Sequence, residues 1–180
     1  RASWFSHKSE EAMPHYYKVY LADYDITTEI APTERAAMFR FTFPEAESYI
    51  VIDAYDKGSY IKVIPEEKKI IGYTTRNSGG VPDNFRNWFV IVFDTPFEYA
   101  GTFVSGNATQ RLALKKDSLQ QESYHTGAVV GFKTTRDQVV NAKVASSFIS
   151  IEQAEQNLKE VGNNTFDDIA AKGRARWNDV

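Results

Sequence analysis

Cysteine is missing from this chain of 180 residues, methionine occurs twice and histidine three times. Without cysteine there is no disulfide framework and no thiolate metal site, and the compartment is left undecided. The histidines, His7, His15 and His125, are scattered, and none has metal-ligand spacing. No apolar run approaches the ~18 residues of a membrane span. Charge of one sign is not in excess: 21 Lys and Arg face 24 Asp and Glu, a net charge of −3. No block of five like charges occurs either, and nothing in this balance points to nucleic acid. There is no His-Glu-x-x-His, no Walker loop, no Gly-x-Ser-x-Gly elbow and no dinucleotide fingerprint. Asp23-Tyr24-Asp25 lacks the Gly and the distal Glu of a calcium loop and reads as a turn. Paired carboxylates for glycoside hydrolysis are a spatial feature, so spacing neither finds nor excludes them. The chain opens on Arg1 with no signal peptide behind it, so its start reads as cut and localisation is not legible from the residues.

Aromatic residues are plentiful, with 12 Phe and 10 Tyr, which suits a β-core and also suits ring-binding surfaces. The opening stretch to Pro14 has no clear period and reads as a loop. Tyr17, Val19 and Leu21 then share one side of a strand, as do Ile26, Thr28 and Ile30, and again Phe39, Phe41 and Phe43 with Arg40 and Thr42 opposite. Period two over short segments broken by polar turns means antiparallel strands. Asp56-Lys57-Gly58 and Pro65 to Lys68 read as the tips of two successive hairpins. "NWFVIVFD" is a compact apolar run with the length of a buried sandwich strand. The pattern predicts ten to eleven strands between about Tyr16 and Phe148. With no helix between them, the fold class is mainly β, an antiparallel β-sandwich.

Helical periodicity appears only after the strands. Ser150 with Gln153 has capping-box spacing, and Ile151, Ala154, Leu158 and Val161 form a stripe closed by Gly162. Thr165 with Asp168 starts a second helix over Phe166–Asn178, whose face Phe166, Ile169, Gly173 and Trp177 has no stop signal before Val180. That face is expected to lie against the sandwich or at a junction with a further domain, with one end of the stripe short of cover here. Residues 1–149 are thus the expected sandwich and 150–180 a helical linker. One connection differs in kind: Arg76 to Asn87 is long, polar and carries Gly79-Gly80. Its Arg76, Asn77, Ser78, Asp83 and Asn84 supply the donors and acceptors that a hydroxyl-rich ligand requires, and fit a solvated connection equally.

Two stretches resemble family 92 glycoside hydrolases. Phe5-Ser6-His7-Lys8, Pro14 to Tyr17, Thr33-Glu34-Arg35 and the aromatic strand Phe39 to Pro44 stand in the family's order. "SSFISIEQAEQNL" and "FDDIAAKGRARWN" are similar to the family's linker. The loop from Arg76 fits a family position but departs from its usual residues. The resemblance implies a galactose-mutarotase-like supersandwich, the N-terminal domain of a secreted or periplasmic, calcium-dependent, inverting exo-α-mannosidase of α-1,2-mannosidase type acting on mannose-containing glycans. It implies that the catalytic carboxylates and calcium ligands belong to an (α/α)6 barrel beyond this chain. No catalytic residue and no metal ligand is therefore expected here, and Arg76, Asn77, Ser78 and Asn84 are the substrate-binding candidates. Two other readings stay open: an independent carbohydrate-binding module, and a structural or interaction domain whose aromatics serve only as core.

Overall fold

Phe39, Phe41 and Phe43 stack along one side of strand β4 (Ala36–Phe43), with successive ring centroids 6.0 and 6.1 Å apart. This is what period two dictates, and Phe43 is the most deeply buried of the three. The computed structural model describes residues 3–179; residues 1, 2 and 180, at the outer ends of the two expected segments, lie outside the described residues. A nine-stranded sheet extends to either side of β4. On one side lie β3 (Ile26–Pro32), β2 (Tyr16–Leu21) and β1 (Glu11–Met13). On the other lie β13 (Gln138–Ser147), β8 (Asn87–Phe93), β7 (Lys69–Thr74), β6 (Ser59–Ile64) and β11 (Gln120–Ser123). The second sheet has four strands in the order β10 (Ala113–Lys115), β9 (Tyr99–Ser105), β12 (His125–Thr134) and β5 (Ala46–Asp53). All neighbouring strands are antiparallel.

Between the sheets lies a core of Phe43, Ile61, Ile70, Phe93, Val130, Phe132 and Val140. The outer face of the large sheet has a core of its own. There Ala31, Met38, Val90 and Ala145 are covered by Ala154 of helix α1 (Ile151–Leu158), Val161, and Phe166 and Ile169 of helix α2 (Phe166–Asn178). Strand β8 sits between these two layers, which is why its sequence is almost continuously apolar. The α2 stripe lies on the sandwich as expected: Phe166 and Ile169 are buried, Gly173 runs against His15, and Trp177 is 56% exposed.

Four expectations need correction. The described residues form thirteen strands, more than ten or eleven, because β1, β10 and β11 are three- or four-residue edge strands too short to show a period. Strand β1 lies inside the stretch that reads as a loop. Helix α1 ends at Leu158, and Val161 covers the sheet from the turns that follow it. Asp56-Lys57-Gly58 is no hairpin tip, since β5 pairs with β12 in the small sheet while β6 pairs with β7 in the large one. The chain changes sheets at that corner, where Tyr55, Lys57 and Gly58 have φ of 64°, 70° and 114°. Left-handed residues build corners and hairpin tips alike, so composition does not separate them. Pro65–Glu67 and Lys68 do form the tip of the β6–β7 hairpin.

Both helix starts follow the sequence. Ser150 accepts a bond from the Gln153 N–H, and Thr165 forms a full capping box with Asp168. Thr165→Ala is expected to cost about 1 kcal/mol, because one first-turn N–H loses its acceptor. Urea unfolding of the two proteins checks this, and an unchanged midpoint would mean that tertiary contacts alone hold the start of α2.

Candidate functional site

The register of β6, β7 and β8 sets Tyr60 opposite Tyr73 and Tyr73 opposite Trp88. These three residues form an aromatic ladder on the outer face of the large sheet, beyond the area that the helices cover. Tyr60 and Tyr73 stack at 5.7 Å, and Trp88 meets Tyr73 edge-on at 4.8 Å. Edge strand β11 extends the row by placing Glu122 opposite Tyr60. The Glu122 carboxylate accepts a bond from the Tyr73 hydroxyl at 2.5 Å. Burial first, and then this bond, push the Tyr73 hydroxyl above its ordinary pKa, so it stays a donor. Arg86 lays its guanidinium over the Tyr73 ring at 5.0 Å, a cation–π contact.

A cleft of about 460 Å3 opens beside this ladder. Tyr73 and Tyr124 supply its aromatic lining, Lys57, Asp83, Arg86 and Glu122 its charged groups, and Ser59, Thr75 and Ser123 its hydroxyls. Its volume falls in the usual range of small-ligand sites. The corner between the sheets forms one wall, tied to the β7 end by Thr75, whose N–H and hydroxyl both bond the Gly58 carbonyl at 2.9 Å.

The loop from Arg76 to Arg86 borders this cleft without delivering the expected residues into it. Arg76 pairs with Asp56. Asn77 is spent on the loop itself: its amide donates to the Thr75 carbonyl at 2.8 Å and its oxygen accepts from the Gly79 N–H at 2.7 Å. This Asx turn lets Gly79 and Gly80 take φ of 105° and 76°. Ser78 and Asn84 are exposed and lie outside the lining. Asp83 does line the cleft. Sequence reading missed Lys57, Tyr73, Arg86 and Glu122, because strand register and a change of sheet bring them together. Only the excess of tyrosine hinted at such a surface.

A second concavity, of about 780 Å3, lies between α2 and the turns at Pro14-His15 and Pro32 to Arg35. The Thr33-Glu34-Arg35 motif works here as a clamp. Thr33 donates its hydroxyl to Glu160 at 2.7 Å, the Arg35 N–H does so at 3.0 Å and the Arg35 guanidinium pairs with the same carboxylate. Burial pushes the Glu160 carboxyl up, but these bonds outweigh it and hold the group below the usual range. Glu34 reaches Arg176 of α2 at 2.5 Å. The turn after α1 and the last turns of α2 are thereby fastened to the β3–β4 turn. Among the described residues no three His, Cys, Asp or Glu side chains converge as a metal site requires, so the groups present do not fit a calcium ion.

Residues 1–147 match the glycosyl hydrolase family 92 N-terminal domain. Among solved structures the chain is similar to the family GH92 inverting mannosidase BT2199 from Bacteroides thetaiotaomicron VPI-5482, with 36% identity and a TM-score of 0.87. That likeness covers 97% of this chain and 23% of the other. It is also similar to the family GH92 alpha-mannosidase BT3965 from Bacteroides thetaiotaomicron, solved with mannoimidazole. Here identity is 30% and the TM-score 0.82, over 97% of this chain and 24% of that one. The chain therefore spans about a quarter of the length of these enzymes. A comparison with curated proteins finds no match.

Proposed function

The chain belongs to glycosyl hydrolase family 92 as an N-terminal domain, and from that premise we propose that it serves an exo-acting, inverting α-mannosidase of α-1,2 type by supporting the active site at its junction with a catalytic (α/α)6 barrel. The observation that carries this reading is 36% identity to an inverting mannosidase over 97% of the chain, the sandwich and both helices together. The proposed division is a sandwich of residues 1–149 and a helical linker of 150–180. The linker is clamped to the sandwich through Glu160 and Arg176, so that the two behave as one support.

Inverting hydrolysis needs an acid and a base about 6.5–9.5 Å apart across the scissile bond, with a water held between them. In this proposal the catalytic barrel contributes both groups, and it also holds any calcium that the enzyme uses. What this chain contributes is binding and placement: a wall from which hydrogen-bond donors and acceptors reach the glycan. A secreted or periplasmic location is part of the same proposal and rests on the resemblance to such enzymes.

The chain alone is expected to release no mannose from aryl α-mannosides or from α-mannobiose, with or without calcium. Joined to the C-terminal three-quarters of a family 92 mannosidase in place of that enzyme's own N-terminal domain, it is expected to restore release. Hydrolysis by the isolated chain would overturn the proposal, and so would a soluble, folded chimaera that is inert on every α-mannoside.

A further inference from the structure

We propose that the cleft between Tyr73, Tyr124, Arg86, Asp83, Glu122 and Lys57 is a mannoglycan-binding subsite of the sandwich itself, lined by the sheet, its corner and the Asp83–Arg86 end of the loop and not by Arg76, Asn77, Ser78 or Asn84. The sugar class rests on the mannosidase reading above; the existence of the subsite rests on geometry.

Three observations carry it. The first is an aromatic wall in a place that the fold leaves open. Where α1, α2 and the turns between them cover the outer face of the large sheet, its buried residues are small or aliphatic: Ala31, Ala36, Met38, Val90 and Ala145. At Tyr60, Tyr73 and Trp88 the same face carries rings instead, and they stay partly exposed. Tyr73 lines the cleft and is braced from either side by the other two, so its ring is held at a fixed angle. Tyr60 stacks on Tyr73 and Arg86 lies over it. The ring that offers a pyranose an apolar surface for its C–H groups is therefore that of Tyr124, which also lines the cleft.

The second is the state of the charged groups. Lys57, Asp83 and Glu122 enter no ion pair among the described residues. Arg86 enters no ion pair either; its hydrogen bonds go to main-chain carbonyls, Phe85 at 2.8 Å and Asp83 at 3.5 Å, and it lies over the Tyr73 ring. The Glu122 carboxylate uses one oxygen on Tyr73 and has capacity to spare. The third is their balance: two cations and two carboxylates line one cleft. A phosphate or another anion would meet as much repulsion as attraction, whereas a neutral polyol finds strong donors and strong acceptors within one small volume.

The test is titration of the full 180-residue chain with α-mannobiose, followed by amide chemical shifts, with cellobiose and a galactobiose as parallel probes. Mannobiose is expected to move the amides around Tyr73, Glu122 and Tyr124 saturably, and more strongly than either other disaccharide. Glu122→Gln and Arg86→Met each remove one charged partner while keeping the side-chain volume. Each is expected to weaken binding about tenfold, the worth of one hydrogen bond to a charged group. Tyr73→Ala is expected to abolish it, and because that variant disturbs the ladder, the other two decide if it fails to fold. No saturable shift with mannobiose, shifts elsewhere that the variants leave unchanged, or equal binding of all three sugars would each overturn the subsite. The chimaera assay reads the mannosidase assignment independently, so a silent titration with an active chimaera would sink the subsite alone.

Discussion

Glu29→Ala is expected to destabilise the protein by about 3–5 kcal/mol, the cost of leaving one partner of a buried ion pair without the other. Glu29 is only 7% exposed. It accepts two bonds from Arg40, both 2.7 Å, and one from the Tyr16 hydroxyl at 2.6 Å. Arg40 continues to Asp167 at 2.9 Å and lies over the Phe166 ring at 4.2 Å. The cluster thereby fastens the first turn of α2 to β2, β3 and β4, and Glu29→Ala leaves the guanidinium with only the exposed Asp167 as a charged partner. Replacing both partners with methionine is expected to cost far less than either single change, since no charge is then left unpaired. Urea unfolding of the four proteins gives the answer. A single-variant loss under about 1 kcal/mol would place the pair among solvent-screened surface pairs.

The same residue sets a pH dependence. The Arg40 hydrogen bonds lead, burial opposes them, Tyr16 adds to them, and the net effect holds the Glu29 carboxyl below its ordinary value. A depressed carboxyl favours the folded state above the unfolded pKa and loses that contribution as pH falls through the folded one. Wild-type stability should therefore decline more steeply than that of the double methionine variant as pH drops below the ordinary glutamate range.

Phe132→Ala is expected to cost about 3–5 kcal/mol, the usual range for deleting a buried ring. Phe132 belongs to the small sheet, is 3% exposed, and meets Phe43 and Phe93 of the large sheet at 6.2 and 5.8 Å, with Phe97 at 5.9 Å. It is the joint between the sheets. No helix or disulfide bridges them at that point, so the cavity cannot be closed without moving a whole sheet. Against a total stability of roughly 5–15 kcal/mol this is a large share, and it should lower Tm by about 2–4 °C for each kcal/mol. A fall of only a degree or two would mean that the sheets settle onto each other around the gap.

Much of the fold was legible in short stretches. The alternation of Phe39, Phe41 and Phe43 marked β4, the apolar run of β8 marked a buried strand, and Thr165 with Asp168 marked the start of α2 to the residue. Each of these signals involves positions only a few residues apart, where side-chain direction follows from backbone period alone. Family membership was legible for a related reason, since motifs such as Thr33-Glu34-Arg35 are written contiguously.

Tertiary structure decided what depends on partners far along the chain. Glu29 stands opposite Ile26, Thr28 and Ile30 in the strand's alternation; it is buried because α2, more than a hundred residues later, crosses that face. Asp56-Lys57-Gly58 has the composition of a hairpin tip, yet the pairing of β5 with β12 makes it a corner between sheets. The cleft is the clearest case. Asn77 looked like a ligand-binding amide but satisfies its own turn, while Tyr73 and Glu122, separated by 49 positions, are set by register on either side of Tyr60, where they meet through a hydrogen bond. Local periodicity determines which way a side chain points; strand pairing and the overlay of helices determine what it meets there.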